Sequence, residues 1–369
     1  VFAKASWDFP ESSSRRAFHP YPARFIPEIP AQALDLLKVD GPVLDPFCGS
    51  GTTLVEAQLR GLPSVGIDLN PIACLISRVS TGAWTAHDAQ LGLEHANALY
   101  HSAASCGDVA DFSHRIPRIN HWFDSWAAEA LAGAIKYVGD VRDNLWRDRV
   151  AVAISSAIVR ISRQDSDTRY AAVDKRGSRL QAAAELARAV VRICEWLCVN
   201  NANDRKPSAE VYCRDARDMT NLPSRSFAAT IFSPPYPNAY EYWLYHKYRM
   251  YWLGFDPIAV REAELGARPH YCKPNGLTET DFALQMDEVF SELGRVLSPS
   301  APTIVVVGDS TIQGRRVDNG KLLSAIAVKQ GFTVEVQARR RILARRSSFN
   351  RAHSRGRKHE HVLLFRAPD

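Results

Sequence analysis

Two short motifs, far apart in the chain, hold residue types that chemistry needs. The first is Asp45-Pro46-Phe47-Cys48-Gly49-Ser50-Gly51-Thr52-Thr53, and the second is Ser233-Pro234-Pro235-Tyr236. In the first, Gly49 and Gly51 let the backbone turn tightly and approach a ligand without a Cβ in the way. A helix starting at Thr52 would aim its free N–H groups at that ligand. The absence of a Gly-Lys-Ser/Thr ending argues against a phosphate-binding P-loop. A dinucleotide loop fits poorly too, because Leu54 replaces its third glycine and Asp45 would repel a pyrophosphate. A ligand with no phosphate and a positive charge suits the carboxylate. Asp68 is then placed to accept from ribose hydroxyls, and Asp215 from an adenine amino group. An Asp-Pro turn before a glycine helix start could stand there with no ligand, but three carboxylates at consecutive strand ends argue against that reading.

The second motif can hold an exocyclic amino group. The Ser233 hydroxyl and the Pro234 carbonyl are two acceptors for the two amino hydrogens. Holding both favours a pyramidal nitrogen and aims its lone pair at an electrophile, so positioning and charge stabilisation do the work. Pro235 fixes the backbone that carries the carbonyl, and Tyr236 offers a flat face to a base taken out of its stack. Cys48 lies in the ligand loop and fits poorly as an attacking thiol. A proline-rich turn after a strand is the plain alternative.

Positioning these residues requires alternating strands and helices. Residues 43–45 predict a buried strand, 52–60 a helix with Leu54, Val55 and Leu59 on one face, 64–68 a second strand, and 70–80 a second helix. A strand–glycine loop–helix–strand–acid unit predicts a parallel sheet with its ligand at the carboxyl ends of the strands. Four prolines between His19 and Pro30 argue against a helix there, and a short helix is expected over 31–38. Residues 84–205 then read as a helical insertion packed on the sheet, with helices at 147–163 and 180–199. The sheet resumes at 210–213, 227–232 and 303–308, and ends with strands at 333–339 and 360–366. The expected fold is therefore α/β, a mostly parallel Rossmann-like sheet with a helical insertion, and two final strands joined by a loop suit an antiparallel last strand. Its parts are 1–83 and 206–369, forming the core, and 84–205, the insertion.

The chain has 369 residues, 46% hydrophobic and 23% charged, an ordinary globular composition. No apolar run approaches the roughly 20 residues that span a membrane, and no signal peptide is visible. Seven scattered cysteines without a CxxC pair predict reduced thiols in a cytoplasmic protein and no metal site. The net charge is +6, and its distribution says more. Arg339, Arg340, Arg341, Arg345, Arg346, Arg351, Arg355, Arg357 and Lys358 fall within twenty residues that hold no Asp or Glu. Such a run can neutralise phosphates and release their counterions. Tyr240, Tyr242, Trp243, Tyr245, Tyr248, Tyr251 and Trp252 could stack on bases or pack against the sheet.

Taken together, the motifs resemble those of the DNA amino-methyltransferases. Residues 45–53 look like their motif I, Asp68 like the motif II acid, Asp215 like the motif III acid and residues 233–236 like motif IV. Residues 19–25 and the following helix look like motif X. The resemblance covers roughly 18–80 and 206–369. It implies S-adenosylmethionine (SAM) as cofactor, held by His19, Arg24, Phe25, Asp45, Pro46, Phe47, Cys48, Gly49, Gly51, Thr52, Thr53, Asp68, Leu69, Asp215 and Ala216. It also implies methyl transfer to a base flipped from double-stranded DNA. Serine at the first motif IV position favours cytosine N4, with adenine N6 as the alternative. The motif order, X then I then IV, is not the permuted order usual with Ser-Pro-Pro-Tyr, and the insertion falls in an unusual place for target recognition. Transfer-RNA guanine-N2 methyltransferases share the motif order but carry Asp or Asn in place of Ser233 and an N-terminal RNA-binding domain that residues 1–18 cannot supply. A nucleic-acid-binding module without activity is a further alternative, and a restriction or defence partner follows from the resemblance alone.

Overall fold

The computed structural model describes residues 2–9, 17–105, 107–167, 169, 171–200, 209–237, 241–271, 275–342 and 358–369. Its strands are β1 (Val43–Asp45), β2 (Ser64–Asp68), β3 (Ala209–Cys213), β4 (Ala229–Phe232), β5 (Pro302–Gly308), β6 (Ser310–Ile312), β7 (Arg315–Val317), β8 (Thr333–Ile342) and β9 (Lys358–Arg366). The helices of the first part are α1 (Glu28–Leu37), α2 (Thr52–Leu59) and α3 (Pro71–Thr81). The insertion holds α4 (Ala86–Ala104), α5 (Ala110–Ser113), α6 (Ile119–Trp122), α7 (Ser125–Asp140), α8 (Asn144–Ile161) and α9 (Arg179–Asn200). The last part adds α10 (Tyr242–Trp252), α11 (Pro257–Ala263), α12 (Arg268–Tyr271), α13 (Glu279–Val296) and α14 (Asn319–Lys329).

Seven strands form one sheet in the order β3-β2-β1-β4-β5-β9-β8, and β6 and β7 form a separate hairpin. β1 to β5 run parallel, with Leu44 opposite both Val65 and Thr230, and β9 inserts antiparallel between β5 and β8. The fold is thus the expected Rossmann-like α/β sheet with an antiparallel pair at one end. Every residue of β1 and β4 is buried, as central parallel strands covered on both faces must be. Alternation along the strands divides the core. Leu44, Phe232, Val305 and Leu363 meet the helices α13 and α14 on one face. Val43, Ile231, Ile304 and Val362 meet α1 and Ala57 of α2 on the other.

Several elements differ from expectation for local reasons. α1 begins at Glu28 inside the proline-rich segment, because Pro30 sits in the first turn, where a missing N–H costs nothing. α2 buries Thr52 to Ala57 between the sheet and its neighbours, leaving Leu59 43% exposed rather than inward. The insertion packs mainly on α3 and α10, and α3 in turn covers β2 and β3, so the contact with the sheet is indirect. Arg149 anchors the insertion's start: it is 1% exposed, pairs with Asp88 at 2.6 Å and lies over the rings of Trp84 and Trp146. The aromatic segment is α10, and its large rings belong to the insertion's core. Trp252 packs on Phe112 and Tyr248 on Phe123, with centroids 4.9 and 5.6 Å apart. Base stacking by these buried rings is thereby corrected to core packing, against the helical block and not the sheet. Among the described residues no helix is long and apolar enough to cross a membrane.

Candidate functional site

In the strand order 3-2-1-4-5, the crevice between the carboxyl ends of β1 and β4 is the switch point where α/β sheets take ligands. Both motifs leave the sheet there. The glycine loop follows Asp45 of β1, and Ser233 follows Phe232 of β4. The two are tied together: the Thr53 hydroxyl donates to the Ile231 carbonyl at 3.2 Å, and the rings of Phe47 and Phe232 lie 5.7 Å apart.

The loop is held from three sides. Gly49 N–H donates to Asp68 Oδ2 and Asn70 N–H to Asp68 Oδ1, each at 2.8 Å. The Ser77 hydroxyl of α3 donates to the Gly49 carbonyl at 2.9 Å. Gly51 adopts φ +81°, and a Cβ there would lie 2.9 Å from Ser77 Oγ. Tyr21 covers the loop, since a Cβ on Gly49 would lie 3.3 Å from its ring. Cys48 is 4% exposed, and burial beside Asp68 and Asp45 raises its thiol well above the ordinary range, so it stays protonated and is no nucleophile.

The carboxylates define the site's charge. Asp45 is 2% exposed and accepts from Phe47 N–H at 3.0 Å; burial pushes it up to about 7. Burial pushes Asp68 up to about 6. A third group had no local sequence signal. Glu264 follows α11, is 8% exposed, and accepts from the Tyr242 and Trp243 N–H groups at 2.8 and 3.2 Å; burial pushes it up to about 8, with Asp68 adding repulsion. Among the described residues, no lysine or arginine is one of the principal charges acting on any of the three. Buried carboxylates lacking a counter-charge fit a cationic ligand and oppose an anionic one.

These groups bind protons more tightly in the fold than in the open chain, where they titrate at about 4. Their stabilisation is complete below that value and is lost as pH rises through about 6 to 8. The free protein should therefore melt at least ~5 °C lower at pH 8.5 than at pH 5.5. Asp45→Asn should flatten part of that fall, and thermal melts across this range are the check.

The remaining expected residues are dispersed. His19 is 2% exposed and bonds Ser155 of α8 at 2.8 Å, joining its segment to the insertion, and burial keeps its ring neutral. Phe25 packs with Ile29 and Ala33 beneath the sheet. Thr53 is fully buried, as is Ala216 almost entirely, and Leu69 packs against α3's cluster. Asp215 is engaged by Arg217, whose Nε and Nη2 lie 3.0 and 2.6 Å from its oxygens. Arg339 and Arg341 are exposed on the edge strand β8, but Arg340 is 5% exposed and pairs with Glu360 at 2.9 Å, which removes it from any phosphate-facing set. Arg345, Arg346, Arg351, Arg355, Arg357, Tyr240 and the Lys358 side chain lie outside the described residues.

At the second motif, Ser233 and Tyr236 are half-buried, and among the described residues the Ser233 hydroxyl has no hydrogen-bond partner within the chain. Two glycines make room for the platform. A Cβ on Gly308, at the end of β5, would lie 3.1 Å from the Tyr236 hydroxyl, and one on Gly266 would lie 3.0 Å from the Tyr236 backbone. Ser77, Glu264, Gly266 and Gly308 were not marked by the motifs, whereas Tyr21 lies within residues 19–25, the segment that resembles motif X.

Residues 4–78 match the family model for N6/N4 DNA methylases, a stretch that contains the glycine loop and Asp68. The chain is 45% identical over 62 residues to the Type II methyltransferase M.MjaII of Methanocaldococcus jannaschii, covering 16% of this chain and 12% of that protein. It is 30% identical over 118 residues to the Type II methyltransferase M.MvaI of Kocuria varians, covering 29% and 25%. This stretch of the chain is similar to the DNA amino-methyltransferases. The alignments span a quarter or less of the length of these curated relatives. Among solved structures, a SAM-dependent methyltransferase from Methanosarcina mazei is 11% identical with a TM-score of 0.37, over 95% of this chain and 99% of that one. A Thermus thermophilus protein solved in complex with S-adenosyl-L-methionine is 19% identical with a TM-score of 0.26, over 42% and 54%. The amino-methyltransferase match falls on the half of the site that holds the two strand-end carboxylates, Asp45 and Asp68.

Proposed function

We propose that the chain methylates the exocyclic amino group of a DNA base, with cytosine N4 as the target, using SAM as the donor. One observation carries the reading. The carboxylate-lined glycine loop and the Ser-Pro-Pro-Tyr platform leave neighbouring parallel strands at the switch point, so a cation held by one faces an amino group held by the other. Bound SAM supplies a methyl group on a sulfonium cation.

The chain's own residues position and stabilise. Asp68, oriented by the N–H groups of Gly49 and Asn70, has lone pairs left for ribose hydroxyls. Asp45 and Asp68 offer negative charge in a dry setting, where it acts strongly on a cation. Ser233 Oγ and the Pro234 carbonyl accept the amino hydrogens, and the Tyr236 ring supports the base. Arg339 and Arg341 contact phosphates together with the basic residues beyond them, and 84–205 is the candidate target-reading region. Serine at position 233 supports cytosine over adenine through the motif IV resemblance, in which serine goes more often with cytosine N4 and Asp or Asn with adenine N6.

The test is methyl transfer from labelled SAM to duplex DNA and to transfer RNA, with digestion and nucleoside mass spectrometry. N4-methylcytosine in DNA is expected. N6-methyladenine would keep the mechanism and overturn the base; methylguanosine in transfer RNA with DNA untouched would overturn the substrate.

A further inference from the structure

The Glu264 carboxylate is tied to both halves of the site. It accepts from the first two N–H groups of α10, Tyr242 at 2.8 Å and Trp243 at 3.2 Å. Tyr242 stacks on Tyr21 with centroids 5.8 Å apart, and Tyr21 lies over Gly49 of the cofactor loop. Two residues beyond Glu264, Gly266 abuts the backbone of Pro235 and Tyr236. The carboxylate is therefore linked through Tyr242 and Tyr21 to the loop that would hold the donor, and through Gly266 to the platform that would hold the amine.

We infer that Glu264 is a specificity-determining residue of the cofactor site, whose carboxylate favours the sulfonium of SAM over the neutral thioether of S-adenosylhomocysteine. The inference rests on the SAM reading proposed above. The two ligands share their ribose, adenine, carboxylate and α-ammonium groups and differ in one methyl group and one positive charge. A buried carboxylate near that charge separates them, and losing the charge on methyl transfer weakens the hold on the product. Among the described residues, the groups facing Glu264 are Asp68 of β2, Glu241 before α10, and the Tyr21 hydroxyl. The nearby cations Lys247 and Arg261 lie over the Trp243 ring at 5.8 and 5.5 Å instead. Glu264 is thus largely protonated at neutral pH in the free protein, with burial holding it at about 8. Binding a cation beside it releases that proton to the buffer; binding the thioether does not.

Calorimetric titration of the full chain with each ligand tests this. At pH 7.5, in two buffers of different ionisation enthalpy, SAM should release about three-quarters of a proton more than the thioether through Glu264. Asp45, at about 7, adds at most about a quarter. Between pH 7 and 8.5 the preference for SAM should rise about eightfold, and the shared α-ammonium cancels in the ratio. Glu264→Gln keeps the shape and should remove that rise while lowering the preference at pH 8.5 roughly fiftyfold or more. Equal proton release by the two ligands, or a Glu264→Gln variant that weakens both equally, would overturn the inference and leave Glu264 as a prop for α10. The proton count needs only the unaltered protein, so it decides the matter even if the variant does not fold. Failure of the unaltered protein to bind either ligand would instead overturn the cofactor reading.

Discussion

Gly51→Ala should weaken SAM binding by at least about a hundredfold, whereas Gly61→Ala should leave it unchanged. Both glycines have positive φ, +81° and +73°, so alanine at either costs roughly 1 kcal/mol or more of backbone strain. Their surroundings differ. A Cβ on Gly61 meets nothing within 4 Å. On Gly51 it would lie 2.9 Å from Ser77 Oγ and 3.1 Å from Ser77 Cα. The Ser77 side chain is fully buried and donates to the Gly49 carbonyl, so it has no open space to enter. The clash is relieved only by moving the loop away from α3, which also pulls Gly49 N–H from Asp68. The carboxylate meant for the ribose then loses its orientation together with the loop. Calorimetric titration with SAM, beside thermal melts of both variants, separates strain from lost binding. Equal binding by the two variants would show that the loop does not hold the cofactor.

What the sequence showed and what it hid follow from range. β1, β2, β4 and β5 were legible because central parallel strands are short apolar runs bounded by turns, and Asp45 and Asp68 were legible because they end such runs. The parallel order followed from the same alternation, and the antiparallel β9 from two final strands joined by a loop with no helix between them. Leu59 was misplaced because a helical period shows which residues share a face but not how much of the helix is covered. The rings of α10 were ambiguous because aromatics suit a core and a base equally; what decided between them was partners such as Phe112 and Phe123, more than a hundred residues earlier in the chain. The hairpin of β6 and β7 has three residues per strand, too few for a period. Glu264 left no trace, since its environment depends on the approach of the end of α11 to the start of α10 and on the charge of Asp68, nearly two hundred residues away in sequence. Arg340 reads as one more member of a basic run until its pairing with Glu360 on the neighbouring strand is seen.

Ser233→Ala should lower kcat for methyl transfer by about 10²–10³ while leaving SAM affinity within about twofold. An exocyclic amine is a poor nucleophile because its lone pair is delocalised into the ring, and it becomes reactive only when both hydrogens are held out of the ring plane. On the proposed function, Ser233 Oγ and the Pro234 carbonyl are the two acceptors at the end of β4, and alanine removes one of them. The remaining acceptor holds the base but not the pyramidal nitrogen, so the loss falls on the transition state rather than on binding. The substitution suits the question because it is structurally mild. Within the described residues Ser233 makes no hydrogen bond to the chain, so truncation orphans no buried group and should change stability by less than ~0.5 kcal/mol. Ser233→Asn keeps a side-chain acceptor and should retain more activity than Ser233→Ala, despite its greater bulk. The measurements are single-turnover methylation with labelled SAM, calorimetric titration of the same variants, and nucleoside mass spectrometry of the product. Full activity in Ser233→Ala would mean that the amino group is held elsewhere, and the assignment of the platform would fall with it. A matching loss of SAM affinity would mean that Ser233 serves the cofactor and that catalysis rests on the Pro234 carbonyl and the Tyr236 ring.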